Sequence, residues 1–217
     1  MNGPRLETMI GRIRMQNPVM TASGTFGYGT EYADLVDLRK LGAMVVKGIS
    51  LDPWPGNPPP RLFEVRGGLL NAIGLQNPGV EGFVRDYLPP LLALGVPVIV
   101  NIWGRTIEEY VAVASRFESV EGIAGLELNV SCPNIKAGGI AFGTDPAMLE
   151  RVVRAVRDRT TRTLIVKLAP NVTRIEPFAR IAEEAGADAL SLINTYPAMA
   201  IDIETRRPVL SNVTGGL

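Results

Sequence analysis

Residues 163–168 read T-L-I-V-K-L: a short apolar, β-branched run that carries one charge near its end. The run is too short for a helix and lacks polar alternation, so it reads as a strand buried on both faces, the mark of a parallel sheet. Five other runs share its grammar: P-V-M-T-A-S (18–23), A-M-V-V-K-G (43–48), P-V-I-V-N-I (97–102), G-L-E-L-N-V (125–130) and A-L-S-L-I-N (189–194). Helical patterns separate them. Thr106 with Glu109 makes a capping box ahead of Ile107, Tyr110, Val111 and Ala114. Asp145-Pro146 suits an N-cap followed by proline at the first helical position. Thr173 with Glu176 reads as a second capping box, and Gly186 as the stop after Phe178, Ile181, Ala182 and Ala185.

Strands alternating with such helices predict βαβ units. An open dinucleotide-binding sheet needs G-x-G-x-x-G after its first strand, whereas S-G-T-F-G-Y-G (23–29) has the wrong spacing. The pattern therefore predicts a (β/α)8 TIM barrel as a single domain over residues 1–217, with about six of the eight βα units in this chain. Each run ends in a polar group: Ser23, Lys47, Asn101, Asn129, Lys167 and Asn194. In a barrel those ends face one mouth. Two insertions break the rhythm. D-P-W-P-G-N-P-P-P (52–60) cannot be regular structure and leads to a hairpin around Gly67-Gly68; residues 194–213 hold a small hairpin through I-D-I-E and P-V-L.

Composition bounds the rest. Apolar residues make up 46% and charged residues 20%, with 22 basic against 22 acidic, so no nucleic-acid or anionic-membrane surface is expected. Met1 to Met15 shows no signal-like apolar segment, and Leu91 to Trp103 is too short and interrupted to span a bilayer. A single cysteine excludes an intrachain disulfide, and the expectation is a soluble, cytoplasmic protein. Of the basic residues 18 are arginine and only four are lysine: Lys40, Lys47, Lys136 and Lys167.

With no histidine and no clustered carboxylates, the mouth is poor in metal ligands and rich in donors and positive charge. That suits a flat anionic ligand such as a flavin or a pyrimidine carboxylate, with lysine stabilising charge on a reduced flavin. Taken singly, Lys47 or Lys167 reads as a snorkelling side chain and Asn101 as a loop residue; six polar ends in register argue for a site. Cys132, in E-L-N-V-S-C-P-N (127–134), is either a small buried hydrophobe or the titratable group of that site. Pro133 biases it toward extended backbone, and K-A-G-G-I-A-F-G (136–143) is glycine-rich enough to move as a lid.

N-V-S-C-P-N, N-A-I-G-L-Q-N-P-G (71–79), V-V-K-G, I-V-K-L-A-P and L-I-N-T together resemble the dihydroorotate dehydrogenases, over essentially the whole chain. Cysteine in the N-V-S-C-P-N loop is similar to class 1, and A-M-A-I-D-I-E-T-R-R-P-V-L (198–210) to class 1B, the NAD-linked catalytic subunit. The resemblance implies oxidation of dihydroorotate to orotate with FMN. Cys132 would take the C5 proton while hydride leaves C6 for the flavin. Lys47, Asn71, Ala72, Ile73, Gly74, Leu75, Asn129, Asn134, Asn194 and Thr195 would hold the substrate. Ser23, Lys47, Gly48, Asn101, Asn129, Lys167 and Ile193 would contact FMN. It further implies a partner subunit carrying FAD and a [2Fe-2S] cluster, in a heterotetramer built on a homodimer. A (β/α)8 barrel typically takes about 250 residues, with its phosphate site after strands 7 and 8. The chain ends at V-T-G-G-L, so those strands and that site are expected to be missing from it. A dihydropyrimidine dehydrogenase-like flavin domain and a non-catalytic remnant stay open as alternatives.

Overall fold

The computed structural model describes residues 4–131 and 142–217; Cys132, Asn134 and most of the glycine-rich loop lie outside the described residues. Five of the six runs form one parallel sheet: β3 (Met44–Ile49), β6 (Val98–Ile102), β7 (Ile123–Asn129), β8 (Thr163–Lys167) and β9 (Ala189–Ser191), adjacent in that order. The run at 18–23 differs. It lies beside β3 with a single parallel bridge, Met20 to Ala43. Pro18 has no N–H to offer, and the Thr21 hydroxyl takes the place of a main-chain partner, donating to Val45 O at 3.0 Å and accepting from Val45 N at 2.9 Å.

Register explains how one sheet has an apolar end and a polar end. Val46, Val100, Leu126 and Leu164 are paired neighbours across four strands, all buried against the helices. On the opposite face Val45, Ile99 and Ile165 pack with Ile13 and Met15, from a hairpin of β1 (Thr8–Ile10) and β2 (Ile13–Met15) that the sequence pattern did not predict. Side chains alternate faces with period two. The residues further along this second face are therefore Lys47, Asn101 and Glu127, then Asn129 and Lys167. A register irregularity between Val46 and Ile49 falls on Lys47-Gly48, a bulge that re-aims the lysine.

The helical crossovers cover the other face. The first runs through α1 (Gly79–Gly82), a wide π-helical turn (Phe83–Tyr87) and α2 (Leu88–Leu92). That turn sits just before Pro89-Pro90, whose missing N–H groups leave Arg85 and Asp86 carbonyls without α-helical donors. In α3 (Ile107–Glu118) Thr106 caps as predicted, accepting from Glu109 N at 3.2 Å. The reciprocal arm of the box moves one residue: the Glu109 carboxylate accepts from Arg105 N at 2.7 Å. α4 (Pro146–Arg157) starts as predicted, with Asp145 accepting from Met148 N at 2.9 Å. α5 (Glu176–Glu184) does not start at Thr173. Pro177 cannot donate to the Thr173 carbonyl, so the helix must begin late enough to hold proline in its first turn. Gly186, at φ 107°, ends it as predicted.

At the end of the sheet opposite the polar groups, Glu118 joins α3 to the loop before β8. Its carboxylate accepts from Thr160 Oγ1 at 2.6 Å, Thr161 Oγ1 at 2.6 Å and Thr161 N at 3.1 Å. Burial raises its pKa, but those hydrogen bonds and nearby Arg162 outweigh it, so the net shift is downward. A carboxylate with a depressed folded pKa stabilises above its unfolded value, and that stability fades as pH falls through the folded one. Glu118→Gln is expected to cost about 1–3 kcal/mol at pH 7, with the deficit shrinking in acid and ligand affinity unchanged; urea unfolding across pH checks it.

Both insertions leave the C-terminal ends of edge strands, one after β3 and one after β9. They meet as a small antiparallel sheet of β4 (Leu62–Val65), β5 (Gly68–Asn71), β10 (Pro197–Ala198) and β13 (Gly215–Gly216), in the order β10-β13-β5-β4. The predicted hairpins are both present, the second as β11 (Ile201–Asp202) with β12 (Arg207–Pro208). Leu70, Ala72 and Leu210 form the small core under this sheet. It bridges one edge of the parallel sheet to the other, over the polar strand ends.

Candidate active site

Between the polar strand ends and the antiparallel sheet lies a cavity of about 320 Å3. Its walls include Ser23, Lys47, Gly48, Asn71, Ala72, Ile73, Gly74, Leu75, Asn101, Asn129, Lys167, Asn194 and Thr195, so the predicted site residues converge. Ile193 is not on the wall. Asn57, Ser131, Asn171, Asn212 and Thr214 line it too and were missed. Asn57 was hidden among prolines, Asn171 stands one residue past the quoted I-V-K-L-A-P, and Asn212 reaches the wall only because its insertion folds back. The described wall thus presents seven asparagines (57, 71, 101, 129, 171, 194 and 212), two lysines and no carboxylate.

Local bonds fix what each amide shows the cavity. Asn129 Oδ1 accepts from Asn194 Nδ2 at 2.9 Å and from Ser131 N at 3.2 Å, which leaves its NH2 as a donor. Tyr110 donates to the Asn129 carbonyl at 2.6 Å and holds the end of β7. Asn71 donates to Gly216 O at 3.1 Å and keeps its own oxygen as an acceptor. The 71–79 loop is held by buried Asn77, which accepts from Gly79 N at 2.9 Å and donates to Leu75 O at 2.9 Å. That clamp keeps Leu75 at φ 59°, a left-handed conformation that a leucine avoids unless its surroundings impose it.

Electrostatically the site is a positive, amide-lined pocket. Lys47 is half-buried, and burial pushes its pKa below the ordinary lysine value; Arg61 pushes the same way and Glu31 opposes. Lys167 is buried, with no hydrogen bond or ion pair among the described residues. Two buried polar atoms there also lack a partner among the described residues: Asn101 Oδ1 and Ser131 Oγ. An unmet buried polar atom costs about 1–3 kcal/mol, so such atoms point to a ligand that meets them. Among the described residues no group of three or more His, Cys, Asp or Glu side chains could hold a metal, and no helix is long and apolar enough to cross a membrane.

Gly48 makes room for this arrangement. A Cβ there would stand 2.8 Å from Asn101 Oδ1 and 3.2 Å from Trp103 Cδ1. Gly48→Ala is expected to displace the Asn101 amide and weaken ligand binding by about tenfold or more, a loss of roughly 1.4 kcal/mol. Titration of the purified variant with the ligand checks it; wild-type affinity would mean that the amide is free to move.

Nearly the whole chain matches a known family. The sequence profile of the dihydroorotate dehydrogenases matches residues 5–217. The chain belongs to the dihydroorotate dehydrogenase family. It is 57% identical over 217 residues to a protein of Citrifermentans bemidjiense named dihydroorotate dehydrogenase B (NAD(+)), catalytic subunit, covering 100% of this chain and 71% of that one. It is 60% identical over 208 residues to the protein of the same name in Desulforudis audaxviator, covering 96% of this chain and 68% of that one. For the Pelobacter propionicus protein, also of that name, the figures are 56% over 214 residues, 99% and 70%. The matched span, residues 5–217, contains all the described residues of the cavity wall.

Proposed function

We propose that this chain is the catalytic subunit of an NAD-linked dihydroorotate dehydrogenase, oxidising dihydroorotate to orotate with FMN in pyrimidine biosynthesis. The observation that carries the reading is the wall itself: among the described residues, two ammonium groups and seven carboxamides, without a carboxylate, around one cavity at the C-terminal ends of parallel strands. A ligand that is flat, anionic and edged with carbonyl and N–H groups matches such a wall; both dihydroorotate and a flavin ring have those edges. The fold fits a (β/α)8 barrel, whose sites lie at that end of the strands. Helices cover one face of the sheet, the β1–β2 hairpin plugs the other, and the antiparallel sheet links its two edges.

The cavity suits FMN on chemical grounds. Among the described residues Asn101 offers an unmet acceptor and Lys167 a buried ammonium without a partner, and Gly48 leaves a gap that any side chain would fill. Ser23, Lys47, Gly48, Asn101, Asn129 and Lys167 would hold it, and when bound it supplies the two-electron acceptor. Lys47, the 71–75 segment, Asn129, Asn194 and Thr195 hold the substrate carboxylate and ring edges, with Asn134 completing the set. Cys132 follows Ser131, which lines the wall, and its thiolate takes the C5 proton. The antiparallel sheet covers the cavity and would exclude water from it. A second subunit carrying FAD and [2Fe-2S] would take the electrons onward, in a cytoplasmic heterotetramer built on a homodimer.

Anaerobic mixing of the yellow, flavin-loaded protein with dihydroorotate tests the reading. Bleaching of the flavin absorbance by dihydroorotate, and not by dihydrouracil, is expected. Bleaching by dihydrouracil alone would assign a dihydropyrimidine dehydrogenase-like activity instead, and bleaching by neither would overturn the proposal.

A further inference from the structure

One charged group of the polar face is neither on the cavity wall nor assigned a role: Glu127, on β7. It is buried, at 4% exposure, where a leucine would sit without the desolvation a carboxylate suffers. Among the described residues its carboxylate has one hydrogen bond, from Asn101 Nδ2 at 2.6 Å. The two residues are direct partners in the parallel register of β6 and β7. Asn101 is 1% exposed and lines the cavity, and its other amide atom, Oδ1, is buried without a partner.

A carboxylate only accepts hydrogen bonds, whereas the two ends of a carboxamide are a donor and an acceptor of nearly equal shape. Glu127 therefore admits one orientation of Asn101. Turning the amide over would set Oδ1 against a carboxylate oxygen and put the NH2 group in the cavity. We propose that Glu127 is a positioning residue: its charge locks the Asn101 amide so that an acceptor, not a donor, faces the ligand, selecting a ring N–H flanked by carbonyls. This rests on the functional reading above, because both FMN and dihydroorotate carry such an imide N–H. Glu127 touches neither; it acts through Asn101.

The test converts the lock. In Glu127→Gln the glutamine can either accept from Asn101 Nδ2, as the carboxylate does, or donate to Asn101 Oδ1, so the lock is released and both orientations of the amide are populated. The double variant Asn101→Asp/Glu127→Gln keeps the pair's total charge and restores an acceptor to the cavity, since aspartate accepts from the glutamine NH2 and keeps an oxygen for the ligand. FMN affinity is read by quenching of flavin fluorescence in the intact protein, and orotate affinity by the perturbation of the bound flavin spectrum. A loss of about twofold to tenfold is expected in Glu127→Gln, about twofold if both orientations are equally populated and more as the turned amide gains, with recovery to near wild-type affinity in the double variant. A loss confined to FMN identifies the flavin as the owner of the N–H, and a loss confined to orotate identifies the substrate. No loss in either overturns the proposal, as does a loss that the double variant fails to recover, which would mark Glu127 as merely structural. If Glu127→Gln alone does not fold, the double variant decides: folded with near-wild-type affinity supports the lock, and anything else overturns it. A ligand-free arm separates this from failure of the functional reading. In protein labelled with 15N-asparagine, the Asn101 side-chain resonances should be those of an amide bonded to a carboxylate and should move in Glu127→Gln; unchanged resonances overturn the lock even if no flavin binds.

Discussion

Cys132→Ser is expected to leave flavin binding within about twofold of wild type, and to slow flavin reduction by dihydroorotate roughly 10²–10⁴-fold at neutral pH, the usual worth of general-base assistance. Cysteine has an ordinary pKa, about 8.5, close enough to neutrality for modest tuning to yield a thiolate, and Cys132 is the only cysteine in the sequence. The chain contains no histidine, and none of the described residues on the wall is a carboxylate, so no other ordinary base is at hand. Serine keeps the size and loses the acidity. The variant should therefore regain rate as pH rises, because hydroxide-derived bases replace the missing group, while the wild-type profile levels off once the thiol has ionised. Stopped-flow reduction across pH, with flavin content measured in parallel, separates the two effects. A variant with wild-type rates would return Cys132 to the role of a small buried apolar side chain.

What the sequence disclosed follows from how each feature is encoded. Doubly buried strands need continuous apolar residues, so β3, β6, β7 and β8 were legible from short runs such as T-L-I-V-K-L, and the partly buried edge strand β9 from a similar run. The run P-V-M-T-A-S has similar composition, yet Thr21 bonds to Val45 through its side chain, a substitution that no periodicity records. The same limit governs the site. Lys47, Asn101, Asn129 and Lys167 were found because a strand end fixes where its side chain goes. Asn57, Asn171 and Asn212 were not, because their place depends on how the two insertions fold across the mouth. Glu127 was quoted inside E-L-N-V-S-C-P-N and passed over. Its importance lies in facing Asn101 on the next strand, a relation of register rather than of spacing within one run. The late start of α5 is the opposite case: Pro177 announced it, and the Thr173–Glu176 spacing was given weight that the missing N–H removes.

Lys47→Met is expected to make the ligand-free protein more stable and the site nearly useless. Burial and the neighbouring Arg61 both act against the Lys47 ammonium, and Glu31 only partly offsets them, so its pKa falls below the ordinary 10.5. For a lysine shifted this way the folded chain holds its proton less tightly than the unfolded chain does. The penalty is therefore full below the depressed folded pKa, and stability recovers as pH rises from that value toward the unfolded one. Methionine removes the penalty, so the gain in Tm should be largest near neutrality and vanish in strong alkali. An anionic ligand reverses the balance, because its carboxylate supplies the counter-charge that the empty site lacks. Removing one partner of a buried, hydrogen-bonded charge pair costs roughly 2–5 kcal/mol, so orotate affinity should fall by about 10²-fold or more. In the wild type that affinity should weaken as pH rises through the depressed Lys47 pKa, before the ordinary lysine range is reached. Arginine should not restore binding, since its wide planar fork does not fit a contact shaped for a compact ammonium at the Lys47-Gly48 bulge. Thermal unfolding without ligand and orotate titration of flavin-loaded protein, each at several pH values, measure both halves. A methionine variant that is less stable at pH 7, or that binds orotate as the wild type does, would show that Lys47 is held for the fold and not for the ligand.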